Sequence, residues 1–123
     1  MKLRLAAALL LITESGYAHE PDVRLKEIPQ TFRGTWVAFD DTNSADPMKV
    51  DAQTIGKCNA TSIIGVALGS TDTAAKTIKI EKSCPGYKIR EWWSWRVING
   101  IETLIVANPS ADAINVFAHV REK

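Results

Sequence analysis

The sequence predicts an all-β fold: a small antiparallel up-and-down β-barrel of about seven to eight strands, held by one disulfide. Three observations carry this expectation. Short runs of alternating apolar and polar residues recur along the chain, each bounded by Gly, Pro, Asn, Asp or Ser. No stretch holds a 3.6-residue period. The run Tyr87 to Val97, YKIREWWSWRV, carries three of the four tryptophans and is followed by Asn99-Gly100, the strongest short hairpin signal in the chain. Tryptophans bury the largest areas of any side chain, so a small core organises around that run. The competing expectation is an α+β fold with a single helix.

The chain has 123 residues, the length of one domain. Residues 1–18 read as a secretory signal peptide. Lys2 and Arg4 form its basic start, Leu5 to Ile12 its apolar stretch, and Ser15-Gly16-Tyr17-Ala18 its cleavage site. The apolar stretch is shorter than the roughly 20 residues a membrane-spanning helix needs, and no later stretch is long and apolar enough to span. The expected localisation is therefore periplasmic or secreted, with no membrane span after signal removal. Of 15 basic and 14 acidic side chains, the signal holds Lys2, Arg4 and Glu14, so the mature part has a formal charge of zero. That balance offers no basic surplus for nucleic acid.

Residues 19–32 read as an extended lead-in, with Pro29 placed to begin one helical turn because its missing N–H costs nothing there. Residues 33–123 read as the barrel domain. Arg33 to Phe39 is a first strand, and Asp40 to Pro47 is a loop by composition. Met48 to Ile55 alternates and reads as one half-buried strand. Lys57 to Leu68 follows, with Gly65 marking a bulge or a close backbone approach. Gly69 to Ala74 is a turn. Ala75 to Lys82 alternates, with Ile78 and Ile80 inward and Thr77, Lys79 and Glu81 outward. Cys84-Pro85-Gly86 turns into the tryptophan strand. Ile101 to Ala107 is its hairpin partner, Asn108-Pro109-Ser110 turns, and Ala113 to Val120 is the last strand.

Export places the only two cysteines, Cys58 and Cys84, where disulfides persist, so their pairing is expected.

The tryptophan strand supplies the candidate binding residues. Period two puts Ile89, Glu91, Trp93, Trp95 and Val97 on one face, read as the core face, and Arg90, Trp92, Ser94, Arg96 and Ile98 on the other. An outward tryptophan beside arginine is typical of interface hot spots. Phe117, with Asn115 and His119 on the outward face of the last strand, is expected to join it in a shared patch. The candidate contact residues are thus Arg90, Trp92, Arg96 and Phe117. Glu91 stands out on the core face, because a buried carboxylate must be paired or protonated.

No catalytic constellation is visible: no Gly-x-Ser-x-Gly, no phosphate-binding glycine loop, no His-Glu-x-x-His. A non-enzymatic role without cofactor is expected. His19 would become the mature N-terminus, where an α-amine and an imidazole on one residue suit Cu(II). This resembles the periplasmic copper-resistance C proteins, exported β-sandwiches that begin with histidine. The Asp-x-His element of that family is absent, and His119 is the only other histidine.

Pro29 to Trp36, PQTFRGTW, resembles the opening of lipocalin-type barrels. There a short helical turn precedes a first strand bearing Gly-x-Trp, here Gly34 and Trp36. The resemblance implies that Trp36 plugs the closed end of the barrel. Small exported bacterial barrels of this type with one disulfide include metalloprotease inhibitors, which act through an N-terminal extension; residues 19–28 would stand in that place. The expected function is a binding module for a protein partner, as an inhibitor of an extracytoplasmic hydrolase. The alternatives are copper handling through His19 and carriage of a small apolar ligand in the barrel.

Overall fold

A computed structural model describes residues 22–40, 46–66, 76–109 and 113–122. Residues 1–18, expected to form a signal peptide, His19, most of the Asp40–Pro47 loop and the Gly69–Ala74 turn lie outside the described residues.

The fold is all-β. Among the described residues nine strands form: β1 (Val23–Arg24), β2 (Gly34–Ala38), β3 (Met48–Val50), β4 (Thr54–Ile55), β5 (Cys58–Gly65), β6 (Thr77–Cys84), β7 (Tyr87–Ile98), β8 (Ile101–Pro109) and β9 (Ile114–Arg121). Strands β2 to β9 pair each with the next in an antiparallel meander, and β2 pairs with β9 to close an eight-stranded barrel. β1 is an extra strand on β5, beyond the short β4 on the same side.

The turns follow local chemistry. Asn99 and Gly100 both take positive φ, 53° and 78°, as a two-residue type I′ hairpin requires, and they set Ile98 opposite Ile101. Gly86, at φ 89°, closes the Cys84–Tyr87 turn after Pro85, in the Pro-Gly order of a type II turn.

Three strand-level expectations need correction. Met48 to Ile55 is not one strand. It breaks at Asp51–Gln53, where Asp51 N–H donates to Thr54 O at 2.9 Å, and continues as the separate strand β4. The alternating pattern runs through a turn that period alone does not reveal. The irregularity in β5 lies at Thr61 rather than Gly65: the register steps from Ala60–Lys82 to Ser62–Glu81, leaving Thr61 as the extra residue. Thr61 turns its hydroxyl to Glu81 O (3.1 Å) and Oε1 (3.2 Å). The bulge switches parity, so Ala60 and Ile63 both pack inward although their positions differ by an odd number. Thr77 keeps the outward face, opposite Ser94, but is fully buried there rather than exposed.

The core gathers Ile28, Phe32, Trp36, Val50, Ile55, Ile63, Ile78, Ile80, Trp93, Leu104 and Val106. The choice of core face on β7 holds at its centre. Trp93 is fully buried, Trp95 packs partly against the core, and Trp92 lies outside at 38% exposure. Val97, near the end of the strand, is exposed.

The floor of the barrel is built from the lead-in. Pro29 caps a short 3-10 turn, Gln30–Phe32, whose Phe32 is buried. Ile28 N–H donates to Ala52 O at 2.8 Å, and Gln53 Nε2 to Lys26 O at 2.6 Å, fixing the segment across the β3–β4 turn. Trp36, fully buried, donates its indole N–H to Phe32 O at 2.9 Å. The disulfide Cys58–Cys84 joins the two strand ends at the opposite end of the β5–β6 pair, with a Cα–Cα distance of 4.2 Å. It closes a loop with a sequence separation of 26. A loop of that size contributes about 3–4 kcal/mol in the chain-entropy account.

Candidate functional site

Two places on the barrel carry chemistry beyond the fold: the outer face of β5 to β9 and the inner face near the disulfide end.

The outer face is organised by register. Ile64 pairs with Lys79, Lys79 with Trp92, Trp92 with Ala107 and Ala107 with Val116, so these five residues form one row across five strands. A second row sets Ser62 against Glu81 and Glu81 against Arg90, while Pro109 pairs with Ile114. Because paired residues in an antiparallel sheet share a face, both rows point away from the core. The result is a shallow groove of about 450 Å³, lined by Ile64, Lys79, Glu81, Arg90, Trp92 and Pro109 among others. Beside it stand Val116 and Ile114, exposed by 61% and 68%.

Charges fix the groove walls. Lys79 Nζ lies 4.7 Å from the centroid of the Trp92 ring and 3.6 Å from Asp22 Oδ2, so Trp92 is held on one side by a cation. Arg90 Nε donates to Glu81 Oε2 at 3.0 Å. That bond, with a further one from Thr61, holds the Glu81 carboxyl below its usual range.

The four expected contact residues separate. Arg90 and Trp92 share the groove. Arg96 points outward but lies further along β7, half-buried, with Nη1 on Trp95 O at 2.7 Å. It stands opposite Thr103, which continues to Val120 and Val37 in a row that is buried although it lies on the outer face. Phe117 is not on the Trp92 face. It pairs with Val106, and His119 with Leu104, so both share the inner face. The sequence pattern of β9 does not reveal this, because residues on both faces of its first half are exposed: Ile114, Val116 and Phe117 alike. Parity in a strand gives two faces but not which is inside; the register to β8 decides. The outward apolar residues beside Trp92 are therefore Val116 and Ile114.

The inner face near the disulfide holds an ion pair. Lys82 and Glu91 sit among the inward residues of β6 and β7, with side chains 13% and 10% exposed, and Lys82 Nζ lies 3.0 Å from Glu91 Oε1. The same oxygen accepts the indole N–H of Trp93 at 3.0 Å. The odd carboxylate of the core face is thus paired with Lys82 and bonded to Trp93. His119 faces this pair electrostatically. Burial pushes its pKa below 6.5, Glu91 opposes that shift, and Lys82 adds to it. Among the described residues, no group of three or more His, Cys, Asp or Glu could hold a metal ion, and no helix is long and apolar enough to cross a membrane.

Sequence reasoning missed Arg121, which lies just beyond the expected last strand, Ala113 to Val120. Its parity with Phe117 and His119 was the available signal, once the inner face of β9 is known. It also missed Lys82 as the partner of Glu91, although Lys82 lies two residues from Ile80 on the same face.

Comparison with protein-family models, with curated proteins and with solved structures finds no match.

Proposed function

We propose that the chain is an exported, non-enzymatic binding module that grips a protein partner with the outer face of β7 to β9. The observation that carries this reading is the alignment of Trp92 and Val116 in one cross-strand row, with Ile114 and Pro109 beside it, around a groove edged by Lys79 and Arg90. Tryptophan and arginine are among the residues that dominate protein interfaces. Exposed contiguous apolar surface of this kind marks contact sites rather than ordinary solvated sheet.

Export is supported by the disulfide, which persists in oxidising compartments. The finer proposal is a protein inhibitor of an extracytoplasmic hydrolase. It is supported by the seat of Trp36 above the 3-10 turn, the arrangement that the Gly-x-Trp resemblance implies. The test is quantitative capture of extracytoplasmic proteins by the immobilised barrel. Wild type and Arg90→Glu should differ, the variant retaining less than about a tenth of the partner at equal loading, the loss expected when a hot-spot residue is reversed in charge. Equal capture by both would remove the groove from the account.

A further inference from the structure

The barrel is closed by β2 and β9, but the two strands differ in length. β2 reaches only as far as Ala38, opposite His119, and the next contact is Phe39 N–H to Ala118 O at 3.0 Å. Beyond that point β9 continues from Phe117 to Ile114, paired on its other side with β8, while no described strand lies against its free edge. Ile114, Val116 and Phe117 are exposed by 68%, 61% and 53%, so this half of β9 is exposed on both faces, and among the described residues no strand pairs with its edge.

Natural sheet edges carry lysine, proline or a bulge that discourages pairing. The segment 114–117, Ile-Asn-Val-Phe, has no charge, no proline and no register shift. It is an edge without protection.

We propose that this edge pairs with the same edge of a second copy of the chain, in an antiparallel two-fold centred on Asn115. The pattern of the segment selects that occupant. With Asn115 opposite Asn115 of the second copy, Ile114 faces Val116 of the second copy on the outer surface, and the two-fold repeats the contact. Polar meets polar, apolar meets apolar, and no charge is stranded. A same-face match in an antiparallel pair demands such a register. The length also agrees. In each copy β2 occupies the edge from Ala118 onward, so the shared ladder runs to Phe117 and stops. Main-chain bonds along the edge supply affinity, as in strand addition, and the contact is isologous, as closed dimers are. The two-fold lies perpendicular to the extended sheet. It therefore sets both Trp92 grooves on one side of the dimer. The proposal does not depend on what binds those grooves.

Two experiments decide it. Sedimentation of the purified protein should show a mass that rises from one chain to two with concentration. Val116→Lys, a charge on the edge, should hold the single-chain mass to at least about tenfold higher concentration. Trp92→Ala should dimerise as wild type does. Under mild oxidation Asn115→Cys should form a cross-linked dimer, since directly opposed Cα atoms in an antiparallel ladder lie about 4.5–5.5 Å apart, within disulfide reach. Ile101→Cys, also exposed but distant from the edge, should not. A wild type that stays at the single-chain mass, as it would if the edge served a strand from another protein, overturns the proposal. So does a Val116→Lys variant that dimerises unchanged, or cross-linking of the Ile101 control at the same rate.

Discussion

The guanidinium of Arg121 lies 4.3 Å from the centroid of the Trp36 ring. From there it donates Nη1 to Arg33 O at 2.6 Å, Nη2 to Thr31 O at 2.8 Å and Nε to Glu102 Oε2 at 2.9 Å. One side chain from the last residue of β9 thus ties the 3-10 turn, the link from that turn into β2, and β8 together at the floor of the barrel. The glycine of the Gly-x-Trp element has its reason here. Gly34 takes φ 117°, and a Cβ at this position would lie 2.7 Å from Arg121 Nη1.

Trp36→Ala should lower unfolding stability by about 3–5 kcal/mol, as loss of a buried tryptophan does. Arg121→Lys should cost about 2–3 kcal/mol, because a lysine cannot reproduce the fork of three bonds and the stacked plane. Urea unfolding checks both. A loss below about 1 kcal/mol in each would mean that the floor is not held by this pair.

Lys82 and Glu91 are bound to each other inside the barrel wall. Breaking one partner leaves the other charge with little water, so Glu91→Ala or Lys82→Ala should each cost about 3 kcal/mol or more. Making both changes in one chain removes both charges at once, and a thermodynamic cycle should show a loss smaller than the sum of the single ones. Additive losses would show that the pair is not an interacting unit.

The pH dependence follows from His119 and Glu102. His119 has its pKa lowered by burial from 6.5, so the unfolded chain takes up the proton first as the solution is acidified. Its contribution is complete above the unfolded value and is lost as pH falls below 6.5 toward the folded pKa. Glu91 and Lys82, facing the imidazole, act in opposite directions on that window. Glu102 is lowered from 4.5, first by its bond to Arg121 and next by that from Trp95, so its contribution is present above 4.5 and is lost below it. Unfolding midpoints measured across acid pH should therefore fall in two stages. His119→Gln should flatten the first stage and leave the second; a variant with both stages intact would contradict the assignment.

The parts of this fold that follow from local chemistry were legible in the chain. Asn99-Gly100 demands a hairpin, Pro29 starts one turn, and Trp93 anchors the core because its neighbours at period two are largely apolar. What depends on pairing between distant strands was not. Asp51–Gln53 breaks a pattern that alternates across the break, and Thr61 changes parity with no glycine to announce it. Phe117 and Val116 are exposed neighbours, and only the register to Val106 and Ala107 says which of them shares a face with Trp92. Arg121 looks like a solvated end until β2 is seen to close on β9.

Trp92 and Trp93 are adjacent and point to opposite sides of one strand, the first toward a groove and the second into the core. The proposal that the outer face exists for a partner is tested most directly by partner capture with Trp92→Ala, read beside the unfolding stability of Trp92→Ala and Trp93→Ala. Trp93→Ala should lose about 3–5 kcal/mol of stability. Trp92→Ala should stay within about 1 kcal/mol of wild type. Its capture of partner should weaken by about 2 kcal/mol or more. Trp92→Ala that captures the partner as wild type does, or that unfolds as readily as Trp93→Ala, would contradict the account.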